Sequence, residues 1–175
     1  MNKFAALAAE SKASQDKFEL EHLLRVVAEL NPKVIVEIGC DGGGSLATWQ
    51  QAFRPAVLIG IDFYRRPELY DYKVIFADST SPEAIETLKK YLGNTLIDFL
   101  FIDGDHHYWG VKKDFQNYEP LVRKGGMIAF HDTNSRNIEG VQVDEFMKEL
   151  DESHSFKTFD FRADRGSPGT RVIVK

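Results

Sequence analysis

Three clusters in this chain carry residues able to do chemistry. The run Glu37-Ile38-Gly39-Cys40-Asp41-Gly42-Gly43-Gly44-Ser45 places two acids and a hydroxyl within a glycine-rich turn. Asp103, Asp105, His106 and His107 form a second cluster, and His131-Asp132 a third. Glycines at a strand-to-helix turn let backbone approach a ligand, because no Cβ intervenes and positive φ is tolerated. The helix that follows offers unpaired N–H groups. Asp62, about 20 residues beyond the glycines, suits the two hydroxyls of a ribose. Taken alone, the glycines are also compatible with a plain connector. The acids argue about charge: Glu37 and Asp41 would repel a pyrophosphate. They suit a cofactor bearing an ammonium and a sulfonium, which favours S-adenosylmethionine (SAM) over a nicotinamide dinucleotide.

Two carboxylates and an imidazole from Asp103, His131 and Asp132 could converge on a divalent cation, since neighbouring parallel strands lie ~4.8 Å apart. Oxygen donors suit Mg²⁺, and the imidazole shifts preference toward Mn²⁺. The alternative is a metal-free hydrogen-bonded network shaping a pocket. His106 or His107 could serve as a general base, because imidazole titrates near neutral pH. Asp78 either reads a nucleobase or caps its own turn. Gln15, near the start of the first expected helix, is a further candidate cofactor contact.

The elements that must position these groups follow from periodicity. Val34–Ile38, Val57–Asp62, Lys73–Asp78, Ile97–Asp103 and Met127–Phe130 read as buried strands; three end on an acid and the last leads into His131-Asp132. Helical spacing is expected over Ser14–Leu30 with Ser14 as N-cap, and over Leu46–Phe53, Pro82–Leu92, Trp109–Leu121 and Val141–Leu150. Lys124-Gly125-Gly126 reads as an exit turn, and Tyr108, Trp109 and Phe115 as core aromatics. Phe156–Phe161 and Thr170–Val174 have no helix between them and should pair antiparallel. The expectation is an α/β fold: a Rossmann-like doubly wound sheet of about seven strands, mostly parallel with an antiparallel C-terminal strand. Residues 1–175 are expected to form one domain, with 1–30 as an N-terminal helical segment.

Composition supports a globular chain: 43% hydrophobic, 28% charged, net charge −5. That charge gives no electrostatic footprint for nucleic acid. With Cys40 as the sole cysteine, no internal disulfide can form and a cytoplasmic location is expected. Met1–Glu10 is too polar for a signal peptide or a membrane span.

The run Val36-Glu37-Ile38-Gly39-x-x-x-Gly43-Gly44-Ser45 resembles motif I of class I SAM-dependent methyltransferases. Phe101-Ile-Asp-Gly-Asp-His-His-Tyr108, Gly110-Val-Lys-Lys-Asp114, Leu121, Lys124-Gly-Gly126 and Phe130-His-Asp132 resemble methyltransferase family 24. That family comprises small-molecule O-methyltransferase-like and cephalosporin hydroxylase-like proteins. The resemblance implies SAM as cofactor, held by Gln15, Glu37, Gly39, Gly43, Ser45, Asp62, Asp78 and Asp103. It implies methyl transfer to a small-molecule hydroxyl, with Asp103, His131 and Asp132 as ligands for Mg²⁺ or Mn²⁺; the catalytic candidates are Asp103 with His106 and His107, the two histidines resting on imidazole chemistry and not on the resemblance. Two departures stand out. His107 stands where the family usually carries serine, and His131 where metal-dependent members carry an acid. A SAM-binding protein without transferase activity and an NAD-dependent oxidoreductase are the competing functions, and a homo-oligomer is left open.

Overall fold

A computed structural model describes residues 2–69, 71–134, 138–164 and 166–175. Strands β1 (Val34–Ile38), β2 (Val57–Asp62), β3 (Lys73–Phe76), β4 (Ile97–Ile102), β5 (Val122–His131), β6 (Lys157–Phe161) and β7 (Thr170–Val174) form one sheet of order β3-β2-β1-β4-β5-β7-β6. The first five strands are parallel, and β7 runs antiparallel to both β5 and β6. The order reverses direction between β1 and β4, the point at which such sheets bind ligands.

Alternation along the strands sorts side chains onto two faces. Val34, Val36, Ile38, Leu100, Ile102, Ile128 and Phe130 pack against helices α4 (Pro82–Leu92), α5 (Tyr108–Tyr118) and α6 (Val143–Ser153). Ile35, Phe99, Phe101, Met127 and Ala129 face the opposite layer of α1 (Lys3–Glu10), α2 (Lys17–Ala28) and α3 (Gly44–Phe53), where Leu20, Leu23, Leu24, Val27 and Trp49 are fully buried. The same alternation sends Glu37, Asp103 and His131 toward the α2–α3 layer, which decides what the site looks like.

Local chemistry moved several expected boundaries. Asp16, not Ser14, caps α2, its carboxylate accepting from the N–H groups of Phe18 and Glu19. Within the expected N-terminal helical segment, residues 3–10 form a helix of their own capped by Asn2; Met1 lies outside the described residues. Lys124-Gly125-Gly126 belongs to β5 rather than to a turn. There the register against β4 shifts, Gly125 adopts φ +73°, and its N–H donates to the Lys175 carbonyl. Phe115 is core, but Trp109 is 73% exposed at the start of α5.

Candidate functional site

A cleft of about 700 Å³ opens at the carboxyl ends of the parallel strands, a volume in the range of small-molecule sites. Its floor is the turn between β1 and α3. Gly39, Asp41 and Gly43 all take positive φ there, at +81°, +43° and +75°. Gly39 is required by the protein itself: a Cβ would sit 2.0 Å from the Asp103 carbonyl oxygen. Gly42 differs, since a Cβ there would meet nothing within 4 Å.

Asp62, at the end of β2, is the clasp of this turn. Its Oδ2 accepts from the N–H groups of Cys40 (2.8 Å) and Asp41 (3.0 Å), and its Oδ1 from Tyr64 (2.7 Å). Asp78, beyond β3, lines the cleft and also caps its own turn, its Oδ1 accepting from the Thr80 N–H and hydroxyl at 2.8 Å. The turn-capping reading of Asp78 is thus present, in a residue that also borders the cleft.

Asp103 and His131 stand one residue beyond paired positions of β4 and β5 and face the same side. His131 Nδ1 lies 3.1 Å from Asp103 Oδ1 and 3.3 Å from Asp132 Oδ2. Asp132 belongs to the other face by alternation, but φ +58° turns its carboxylate back to join the group. His106 completes it, with Nε2 3.5 Å from Asp103 and Nδ1 3.4 Å from Asp132. Gln15 reaches in from the start of α2, donating from Nε2 to Asp103 Oδ2 at 2.5 Å.

The electrostatics follow from these contacts. Burial alone would raise the Asp103 pKa, but the His131 and His106 imidazoles hold it below the usual carboxylate range. Burial would lower that of His131, yet the Asp103 and Asp132 carboxylates push it up to about 10. Hydrogen bonding to Asp103, with the Asp132 charge, raises that of His106.

Gln15, Gly39, Ser45, Asp62, Asp78, Asp103, His106, His131 and Asp132 all line the cleft. Three expected site residues do not. Glu37 is fully buried under α3, accepting from the Ser45 hydroxyl and from Trp49 Nε1 at 2.9 Å; burial raises its pKa to about 8. Gly43 faces Leu69 and Tyr72 behind the turn. His107 precedes the first turn of α5, 65% exposed at its side chain, with Nδ1 2.7 Å from Asp105. Conversely, sequence reasoning passed over Lys12, Phe63, Tyr64 and Arg66, which line the cleft. Phe63 and Tyr64 directly follow a strand-end acid, a position that could have flagged them.

Residues 36–133 match a family model described as a methyltransferase domain. The chain belongs to this family. A protein of Acanthamoeba polyphaga mimivirus printed as uncharacterized protein R132 is 36% identical over 129 residues, covering 63% of this chain and 58% of that protein. The 8-demethyl-8-alpha-L-rhamnosyl tetracenomycin-C 2'-O-methyltransferase of Streptomyces olivaceus is 29% identical over 110 residues, covering 56% of this chain and 28% of that enzyme. The matched regions thus span between 16% and 58% of the lengths of three curated relatives. Among solved structures, the MycE methyltransferase of mycinamycin biosynthesis, in complex with Mg, SAH and mycinamycin VI, superposes with a TM-score of 0.73 at 19% identity, covering 99% of this chain and 54% of that one. This likeness establishes the methyltransferase fold for the sheet described above. No described helix of the domain is long and apolar enough to cross a membrane.

Proposed function

We propose that this methyltransferase domain, residues 1–175 read as one unit, transfers the methyl group of SAM to a hydroxyl of a small molecule. The observation that carries the reading is the adjacency, in one cleft, of the Asp62-clasped glycine turn and the Asp103–His106–Asp132 cluster. The first is a nucleoside seat and the second a proton-handling group. The similarity to the tetracenomycin sugar O-methyltransferase supports a hydroxyl acceptor.

In this reading Asp62 takes the ribose hydroxyls, and Asp78 with Ser79 borders the adenine. Gln15 and the glycine turn surround the amino-acid end. Glu37 supports the turn from beneath through the Ser45 hydroxyl, while Ser45 itself borders the cleft. The sulfonium is already activated, so the residues must align an in-line displacement and remove one proton. His106 is the base, because its ring reaches the cleft whereas that of His107 does not. The acceptor O–H gives its proton to His106. The oxygen forms a bond to the methyl carbon, and the S–CH₃ electron pair returns to sulfur, leaving a neutral thioether. The resulting imidazolium lies between the carboxylates of Asp103 and Asp132, which stabilise its charge.

Asp103, His131 and Asp132 also fit a divalent ion in donor type and spacing, with ligand atoms all within 4.8 Å of one another. They would hold it, and it would act as a Lewis acid toward the acceptor oxygen.

Calorimetry with S-adenosylhomocysteine (SAH), followed by SAH release from SAM across a panel of hydroxylated acceptors, tests the proposal. Binding with turnover is expected. No binding of SAH removes the reading, and binding without turnover on any hydroxyl leaves a nucleoside-binding protein.

A further inference from the structure

We propose that Glu19, on α2, is a positioning residue for the acceptor side of the cleft. Through one peptide of the loop between β6 and β7 it holds Asp132 in the left-handed conformation that brings its carboxylate to His106 and His131. This deepens the methyl-transfer reading above, on which the role of Asp132 rests, while the positioning itself stands on geometry.

Glu19 is out of place by composition. It is 0% exposed on the helix that buries Leu20, Leu23 and Leu24, and among the described residues it has no ion-pair partner. Burying a carboxyl group is unfavourable unless hydrogen bonds compensate. Both of its oxygens are used: Oε1 accepts from the Gly169 N–H at 3.1 Å and Oε2 from the Thr170 hydroxyl at 3.2 Å.

Strand register sets this tie beside the site. Thr170 pairs with His131 across β7 and β5, so the loop arrives next to the strand end that carries the cluster. The peptide from Pro168 to Gly169 is trans, and its C=O and N–H point to opposite sides. Its N–H goes to Glu19, and its carbonyl accepts from the Asn134 N–H at 2.7 Å. The next carbonyl, that of Gly169, accepts from the Thr133 N–H at 3.2 Å. The approach is close enough to require glycine: φ is +82°, and a Cβ would fall 2.7 Å from Asn134 Cβ. Ser167 folds the loop on itself, its hydroxyl accepting from the N–H groups of Ala163 and Asp164 while its carbonyl accepts from Asn134 Nδ2 at 3.0 Å.

These bonds bear on Asp132. Its φ of +58° is unfavourable for a residue with a Cβ. In an extended conformation, alternation along β5 would send its carboxylate to the face opposite His131. The two N–H groups that directly follow Asp132 are the ones bound to the loop carbonyls, and relaxing its backbone would carry both away from them. Held in this way, the carboxylate lies 3.4 Å from His106 Nδ1 and 3.3 Å from His131 Nδ1.

The test reads the carboxylate where it sits, by the imidazole nitrogen NMR shifts of His106 and His131 in the metal-free chain at one fixed pH, with SAH affinity and turnover beside them. Asp132→Asn gives the reference for a lost carboxylate. Glu19→Met, apolar and of similar length, should move both histidines' resonances toward that reference and lower turnover roughly 10–100-fold, while SAH affinity stays within a few-fold of wild type. Glu19→Gln should keep the wild-type resonances, since its amide oxygen accepts from Gly169 and its NH₂ donates to the Thr170 hydroxyl. Glu19→Asp keeps the acid but falls one methylene short. It should move the same resonances partway, and it decides the matter where the methionine variant does not fold. A folded Glu19→Met or Glu19→Asp protein with wild-type imidazole resonances overturns the inference, whatever its melting temperature, and leaves Glu19 a structural tie. So does an Asp132→Asn protein whose resonances stay in place, or a loss of SAH affinity as large as the loss of turnover. A wild-type chain that transfers no methyl group removes the function proposed above, and the resonances still decide whether Glu19 holds Asp132.

Discussion

Asp62 Oδ2 lies 2.8 Å from the backbone nitrogen of Cys40, so the acid that ends β2 holds the glycine turn that ends β1. The same carboxylate accepts from Asp41 and Tyr64, and these bonds fix its orientation before any ribose arrives. Asp62→Ala therefore has two effects. It removes the proposed ribose acceptor, weakening SAH by roughly tenfold or more, and it strips partners from backbone N–H groups, costing about 1–3 kcal/mol of stability. Calorimetry and urea denaturation on one preparation separate the two. A folded Asp62→Ala protein with wild-type SAH affinity would refute the ribose assignment.

At Gly39 the obstacle to a side chain is the backbone of Asp103, not a ligand, and φ is +81°. Gly39→Ala should lose stability together with binding, by more than ~1 kcal/mol from the backbone conformation alone, and Gly39→Val should fail to fold. Gly42 provides the contrast. Gly42→Ala should melt like wild type, because its Cβ would point into open space. If Gly42→Ala nonetheless loses SAH affinity, the ligand passes over that glycine; if Gly39→Ala melts like wild type, the close approach of β1 to β4 is not what the glycine serves.

The fold was legible because five apolar runs ending on polar residues can hardly be arranged otherwise than as a parallel sheet, and because β6 and β7 lack a helix between them. The pairing of Asp103 with His131 was legible for the same reason, since strand-end residues of neighbouring strands converge. Direction was harder. Alternation places Glu37 beneath α3 on the face of Ile35, but its motif position suggested ligand contact, and period 2 was not applied to it. Asp132 required the opposite correction, because only its left-handed φ brings it beside His131. Gln15 was named from the sequence, but the packing that holds its linker was illegible, since the approach of the Lys12 backbone to Gly44 joins positions 32 residues apart and no local pattern encodes it.

Glu37 makes stability depend on pH. Burial first, and then the nearby Asp103 and Asp62 charges, raise its folded pKa from 4.5 to about 8 against the opposing hydrogen bonds of Ser45 and Trp49. Between those values the native state binds more protons than the unfolded chain, so this group's contribution is complete below pH 4.5 and is lost as pH rises through 8. Urea denaturation from pH 5 to 9 should show Glu37→Gln with a flatter profile than wild type and equal or greater stability at pH 9. Glu37→Ala should cost about 1–3 kcal/mol throughout, by orphaning the buried Trp49 N–H. A wild-type profile that keeps its slope in Glu37→Gln would place the titration elsewhere.

The acceptor side yields the last prediction, in which base and metal are read from one set of experiments. His106 works as a base only when neutral, and its pKa is raised above 6.5 by Asp103 and Asp132. Turnover should therefore climb with pH along a limb whose midpoint lies above 6.5. His106→Gln should flatten that limb and lower turnover by ~10²–10⁴-fold, the usual worth of a general base, while SAH affinity stays within a few-fold of wild type. His131 governs the ion. For its Nδ1 to ligate, it must give up the proton it shares with Asp103 and Asp132, and the pKa of about 10 makes that costly at neutral pH. Metal affinity should accordingly rise with pH, by up to ~10-fold per unit for one displaced proton, and Mn²⁺ should bind better than Mg²⁺ because imidazole replaces a carboxylate. Mn²⁺ binding followed by electron paramagnetic resonance at pH 7, 8 and 9 reads this without any turnover. Asp132→Asn should abolish the Mn²⁺ signal and lower activity while leaving SAH affinity near wild type, because the proposed reading sets Asp132 against the acceptor and not the nucleoside. Activity should fall in excess chelator and return with Mn²⁺. Full turnover in chelator at every pH, together with an unchanged His106 limb, would eliminate the ion and leave the imidazolium of His131 to balance the two carboxylates beside His106.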